Sequence, residues 1–257
     1  NWIKSDQGYL LNPATQSSYP PGTSLGPFIL AEYLSDKQLS DAPTELTLRF
    51  NNEVWNCSRY PNDPLSWGDL ISTGCPGAVA DLGRKMGADS LANLYEILGF
   101  TESPSIPLPV AGGYSTDNLT DTLKSSLGQD GILISPLQMA LAAATLSREG
   151  GRPSPLLATA VNTPQQGWVI LPSEPASPAL APDGVSKALQ LLESPTLPIW
   201  ESTGFAFNGD NRVSWYIGGT MPDWKGTPIA LVIALENQNP ADTFNLGHSL
   251  FKTTLNP

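Results

Sequence analysis

The chain has 257 residues and a formal net charge of −11, from 24 acidic against 13 basic side chains. That length can bury a sizeable core, but so few cations leave no basic stripe to neutralise phosphates, so nucleic acid is excluded as an expected partner and an anionic membrane surface would repel the chain. There is no long uninterrupted apolar run, and Asn1-Trp2-Ile3-Lys4-Ser5-Asp6 lacks the start of a signal peptide, so this segment is not expected to insert into a membrane.

Taken in chain order, the spacing of apolar residues predicts a helix over Ser24 to Leu34. A second runs over Pro76 to Met86, with Val79, Leu82 and Met86 on one face, and a third over Asp89 to Leu98. The next helix start is the best marked. In Gly128-Gln129-Asp130-Gly131-Ile132-Leu133-Ile134-Ser135-Pro136-Leu137-Gln138-Met139-Ala140, Ser135 can cap, Pro136 pre-sets φ, and Gln138 can reach back to complete a capping box. Leu137, Ala140, Leu141 and Ala144 then predict a buried stripe that runs on to a stop at Gly150-Gly151.

Gln166 to Leu171 and Val213 to Thr220 read as strands, and the apolar run within Pro228 to Glu236 reads as a buried central strand. The connector around Asp223 to Gly226 is too short for a crossover, so the last two strands must be antiparallel. A final helix over Asp242 to Leu255 would cover them. The expected fold class is therefore α/β in the mixed (α+β) sense, an antiparallel sheet flanked by helices with a helical subregion. Pro-rich connectors near Pro104, Pro153 and Pro172 separate no self-sufficient halves and no repeat is present, so one domain over 1–257 is expected.

Two cysteines, Cys57 and Cys75, are too few for a disulfide framework and lack the spacing of a zinc site, so no metal is expected. A bridge between them would close a short loop, stabilise by about 3 kcal/mol in chain-entropy models, and fit an oxidising compartment. Two buried, unbridged thiols are the other reading. Asn56-Cys57-Ser58 and Asn118-Leu119-Thr120 match a glycosylation sequon, a pattern short enough to arise by chance.

As one string, Gly-Gln, a β-like run, Ser-Pro-Leu-Gln-Met-Ala and a small-residue helix ending in glycine resembles the transpeptidase domain of penicillin-binding proteins, nearest the monofunctional class B type. The resemblance runs from about Asn12 to the C-terminus and implies a β-lactamase-like fold, with three catalytic motifs on either side of the string. The first puts a nucleophilic serine at a helix start and an activating lysine three residues on. The matching string, Pro20-Pro21-Gly22-Thr23-Ser24-Leu25-Gly26-Pro27-Phe28, puts Thr23 at the serine and Gly26 at the lysine. A hydroxyl without a base is a poor nucleophile. Ser24, the other hydroxyl here, is followed at i+3 and i+4 by Pro27 and Phe28.

The second motif, Ser-x-Asn, falls on Gly74-Cys75-Pro76, where both functional side chains are missing. The third, Lys-Thr-Gly, falls on Ser202-Thr203-Gly204, where the cation is missing and Glu201 alongside would repel a substrate carboxylate. All three motifs fail at the residues that do the chemistry while their structural neighbours remain, which points to a pseudoenzyme.

The resemblance implies an extracytoplasmic location, a membrane anchor in the full-length protein, no cofactor, and peptidoglycan peptide or cell-wall synthesis and division proteins as partners. Thr23, Ser24, Thr203 and Phe205 are the candidates for residual binding, and Trp200 and Phe205 could line a groove. Two other readings stand beside it. One is a divergent acyl transferase or hydrolase using Thr23 or Ser24 with a recruited base. The other is a spacer whose cleft is plugged, by Phe28 or Phe205. His248 has no acidic neighbour in sequence and reads as a surface or helix-packing residue, and Lys85 lies about three turns from the second motif.

Overall fold

The structure, a computed structural model, describes residues 3–4, 10–50, 53–62, 65–116, 119 and 121–255; Asn118 and Thr120 of the second sequon lie outside them. The chain opens with β1 (Ile3–Lys4), β2 (Leu10–Leu11) and α1 (Pro13–Gln16), the last capped by the Asn12 side chain. A 3-10 turn, Gly22–Leu25, leads directly into α2 (Gly26–Tyr33). A hairpin, β3 (Leu48–Phe50) and β4 (Glu53–Trp55), precedes α3 (Trp67–Ser72), α4 (Pro76–Met86) and α5 (Ala88–Ile97). Then come α6 (Thr122–Ser126), α7 (Pro136–Ser147), β5 (Gly151–Arg152), the hairpin β6 (Ala160–Thr163) and β7 (Gly167–Ile170), β8 (Ser177–Pro178) and α8 (Pro182–Leu192). The chain ends in β9 (Ile199–Asn208), β10 (Asn211–Thr220), β11 (Ala230–Glu236) and α9 (Pro240–Leu255).

Local chemistry explains the boundaries. α4 starts where Pro76 supplies a fixed φ and ends at Gly87, whose φ of 89° halts the helix. Ser135 and Gln138 form the expected reciprocal capping box at the start of α7, and the chain leaves that helix through left-handed Glu149 and Gly150.

The main sheet is antiparallel in the order β11-β10-β9, and strand alternation divides its residues between two environments. Trp215 and Ile217 enter the large core, whereas Tyr216 enters a smaller cluster with Phe251 beneath α9. The large core joins α2, α4, α5 and α7 through Phe28, Val79, Leu82, Leu94 and Met139, all fully buried. At about 25 cal/mol per Å² of apolar surface removed from water, this burial is the chief stabilising term.

Two expectations are corrected. The most deeply buried residues of α7 are Met139, Ala142, Ala143, Thr145 and Leu146, while Leu137, Ala140 and Ala144 are only half-buried. α7 packs on β10 and β11 and also against α1 and β5. A helix covered on several sides loses the single-stripe pattern. β11 is half-buried and, among the described residues, lies at an edge of the sheet, so its apolar run does not mark a central strand. β10 holds that place and is buried from Val213 to Thr220.

Candidate functional site

The three motif positions, far apart in sequence, meet at the outer edge of β9. The 3-10 turn lies along that edge. The Phe205 N–H donates to Thr23 Oγ1 at 3.1 Å, and a Cβ added to Gly22 would lie 1.9 Å from the Phe205 carbonyl oxygen. Gly22 therefore owes its place both to close approach and to its φ of 61°. Gly204 is pressed as tightly, since a Cβ there would come within 2.3 Å of Ser24 N. Thr23 and Ser24 are fully buried, and Ser24 donates its hydroxyl to the Pro21 carbonyl oxygen. Among the described residues, no ionisable side chain hydrogen-bonds to either hydroxyl.

The second motif closes over the first and third. Gly74, at φ 64°, has so little room that a Cβ would lie 2.2 Å from the Thr203 carbonyl oxygen and 3.1 Å from Thr23 Oγ1. Its neighbour Cys75 is bridged to Cys57, and Pro76 opens α4. The bridge ties the segment after β4 to the start of α4.

The two positions that lack a lysine are filled by the scaffold. At Gly26 a Cβ would meet Ile71 Cγ2 at 3.1 Å and Val79 Cγ2 at 3.2 Å, so any side chain there would have to shift these two methyl groups. Ser202, fully buried, donates to the Ile71 carbonyl oxygen at 2.9 Å. Helix α3 thus supplies both the side chain that crowds Gly26 and the acceptor that occupies Ser202.

The segment Trp55 to Arg59 covers what is left of the cleft. The Trp55 ring stacks on Phe205 with centroids 5.0 Å apart and meets Phe207 edge-on at 5.1 Å. Arg59 Nε donates to Thr203 Oγ1 at 3.3 Å. Trp55 covers Phe205, whereas Phe28 packs edge-on against Phe100 in the core, away from the cleft. Trp200 is core as well, its Nε1 donating to Ser147 Oγ at 2.9 Å.

Glu201 shares a face of β9 with Thr203. Alternation along β9 turns it to the opposite side from Ser202, where it accepts from the Tyr216 hydroxyl at 2.9 Å and meets His248 Nδ1 at 3.1 Å. His248 has an acidic partner after all, 47 residues away, which no local spacing could reveal. Burial, and then the Glu201 carboxylate, push the Tyr216 phenol up, so it stays a neutral donor. Burial pulls the Arg59 guanidinium down, and Glu201 and Tyr216 partly offset this. Lys85 pairs with Asp81 at 2.8 Å on α4.

The Trp55-to-Arg59 cover was not visible in the sequence. Its only signal is Cys57, which anchors that segment to the second motif.

Comparison with known proteins bears on the family and the fold. The sequence model of the penicillin-binding protein transpeptidase domain matches residues 2–193. The peptidoglycan D,D-transpeptidase PbpA of Mycolicibacterium smegmatis is 30% identical over 170 residues, covering 62% of this chain and 34% of that protein. Its Mycobacterium tuberculosis namesake is 26% identical over 257 residues, 89% of this chain and 52% of that protein. The chain thus spans about half or less of these relatives. Among solved structures, penicillin-binding protein A from M. tuberculosis superposes with a TM-score of 0.78 at 20% identity, over 98% of this chain and 65% of that one. The D,D-transpeptidase domain of an Eggerthella lenta peptidoglycan glycosyltransferase gives 0.74 at 18% identity, over 97% and 69%. With the fold shared and a family match over most of its length, this chain belongs to the penicillin-binding protein transpeptidase family.

Proposed function

We propose that this domain is a catalytically inactive member of the family that serves as a binding or scaffolding module in bacterial cell-wall synthesis or division, on the extracytoplasmic side of the membrane. The observation that carries this reading is the environment of Thr23. Its hydroxyl is fully buried, accepts the Phe205 N–H, and has no ionisable group in hydrogen-bond reach among the described residues. Acyl transfer needs a base to take the hydroxyl proton and free backbone donors to hold the developing oxyanion. Here the base position is Gly26, walled by Ile71 and Val79, and the nearest donor is engaged by the hydroxyl itself.

A specific observation favours scaffolding over binding within the cleft. Trp55 stacks on Phe205 and Gly74 lies against Thr203 and Thr23, so the chain's own residues cover Thr23, and the cavity of about 590 Å³ that remains along Phe205 and Phe207 does not reach it. In this reading partners meet the outer surface. The Cys57–Cys75 bridge fits an oxidising compartment.

Labelling with a fluorescent penicillin tests the proposal. M. tuberculosis penicillin-binding protein A, known as a penicillin G acyl-enzyme complex, is the positive control. This chain is expected to stay unlabelled, because Thr23 is buried and has no base in hydrogen-bond reach among the described residues. Labelling of the parent chain would overturn the proposal.

A further inference from the structure

The Cys57–Cys75 bridge is unevenly exposed. Cys75 is fully buried, whereas Cys57 is half-buried and lines two cavities, one of about 590 Å³ along Phe205 and Phe207 and one of about 550 Å³ beside Leu46 and Tyr60. An attacking thiol therefore meets the Cys57 sulfur, and Cys75 becomes the sulfur that leaves.

The surroundings of Cys75 suit a leaving group. It is the N-cap residue of α4, where the positive end of the helix dipole stabilises an anion, and its Sγ lies 3.4 Å from Thr73 Oγ1. In the bridged state the Thr73 hydroxyl donates to the Asp69 carbonyl oxygen at 2.5 Å, and the same proton can turn to a released sulfur. Apolar burial works against a thiolate, so this hydroxyl is the group on which release depends.

What the bridge holds is equally specific. Trp55 ends β4, and the Arg59 N–H donates to the Thr73 carbonyl oxygen at 3.2 Å. Between these anchors, Asn56, Cys57 and Ser58 make no hydrogen bond among the described residues. Among those residues, the bridge is the one bond that fixes the middle of the segment covering Phe205 and Thr203.

We infer that Cys57 is a thiol–disulfide exchange site, at which a dithiol protein releases the cover from the β9 edge. A thiolate of that protein attacks Cys57 Sγ; the Cys57–Cys75 bond breaks and its electron pair stays on Cys75 as a thiolate. The second thiolate of the dithiol then attacks its own sulfur in the mixed disulfide and expels Cys57. Each released thiolate takes up a proton, replacing the one its attacker gave to solvent. The bridge thus gains two electrons and the dithiol is oxidised to a disulfide. Asn56 to Ser58 are then free to lift from the edge. This inference goes beyond the proposed function and fails independently of it, because it is read from thiol content rather than from penicillin labelling.

The test uses the whole chain in native buffer. It is exposed either to glutathione, a monothiol that stops at the mixed disulfide, or to dithiothreitol, a dithiol that completes the exchange. Samples are quenched with acid, alkylated and mapped by peptide mass. The glutathione adduct is expected on Cys57, with Cys75 alkylated. Reduction by dithiothreitol is expected to be first order in the reagent and to change less than about twofold in urea below the unfolding transition, as attack on an accessible bridge in the folded chain requires. Thr73→Val should slow it by about threefold or more, while Thr73→Ser keeps the parent rate. In the reduced chain the Arg59 N–H, next to the released stretch, should gain about tenfold more in hydrogen exchange than the amides of α7. The inference is overturned by glutathione on Cys75, by reduction that accelerates with urea in step with global unfolding, by a parent rate in Thr73→Val, or by an Arg59 amide as protected after reduction as before.

Discussion

Two fully buried hydroxyls, Ser135 at the start of α7 and Thr23 in the 3-10 turn, each accept a backbone N–H. Ser135 accepts the Gln138 N–H at 3.2 Å, and the Gln138 side chain returns a bond to the Ser135 N–H at 2.9 Å, so the partnership closes within one turn. Thr23 accepts its N–H from Phe205, 182 residues later, and in doing so fastens the 3-10 turn to the edge of β9. Both oxygens do structural work. At Ser135 the bond starts a helix of the scaffold, whereas at Thr23 it closes the position that the family resemblance assigns to the nucleophile. The difference lies in reach: one contact follows from four adjacent residues, the other exists only once the sheet has formed.

That contrast can be tested by substitutions at the closed edge, beginning with the largest expected effect. Gly74→Ala combines a positive φ with a backbone clash at the Thr203 carbonyl oxygen, and should cost more than about 3 kcal/mol in a urea titration. An unchanged midpoint would mean that the second motif does not press on β9. Trp55→Ala removes the ring stacked on Phe205, and truncation of a fully buried aromatic of this size should cost about 3–5 kcal/mol. A loss below about 1 kcal/mol would show that the cover is not packed as described.

Replacing Cys57 and Cys75 together by serine should lower stability by about 3 kcal/mol, given the sequence separation of 18 residues. It should also raise hydrogen exchange between Trp55 and Arg59 more than in α7. Uniform loss of protection would instead make the bridge a global staple.

The smallest effects compare the two hydroxyls directly. Thr23→Val leaves the buried Phe205 N–H without its acceptor and should cost about 1–3 kcal/mol. Ser135→Ala should cost about 1 kcal/mol, as loss of a helix cap generally does. If Thr23→Val proved neutral in a thermal melt, the closure of the β9 edge would have to rest on the glycines alone.

The same distinction of reach explains what the sequence disclosed. α4 was readable over Pro76 to Met86 because proline, glycine and an apolar face mark it locally, and the start of α7 was readable from its capping box. The buried face of α7 was not, since it depends on which neighbours cover the helix. The family resemblance proposes where the three motifs fall, but how those segments meet could not be read from it. Their arrangement rests on Trp55 meeting Phe205 and on α3 reaching both Gly26 and Ser202, contacts that span tens to hundreds of residues. The Glu201–His248 pair was hidden for the same reason.

The most direct test of the central claim is the intact mass of the whole chain after prolonged exposure to excess imipenem and penicillin G, the β-lactams found as acyl-enzyme complexes in M. tuberculosis penicillin-binding protein A. The closed environment of Thr23 and Ser24 predicts the unmodified mass at every time point. A stoichiometric mass increase that maps to either hydroxyl would contradict it.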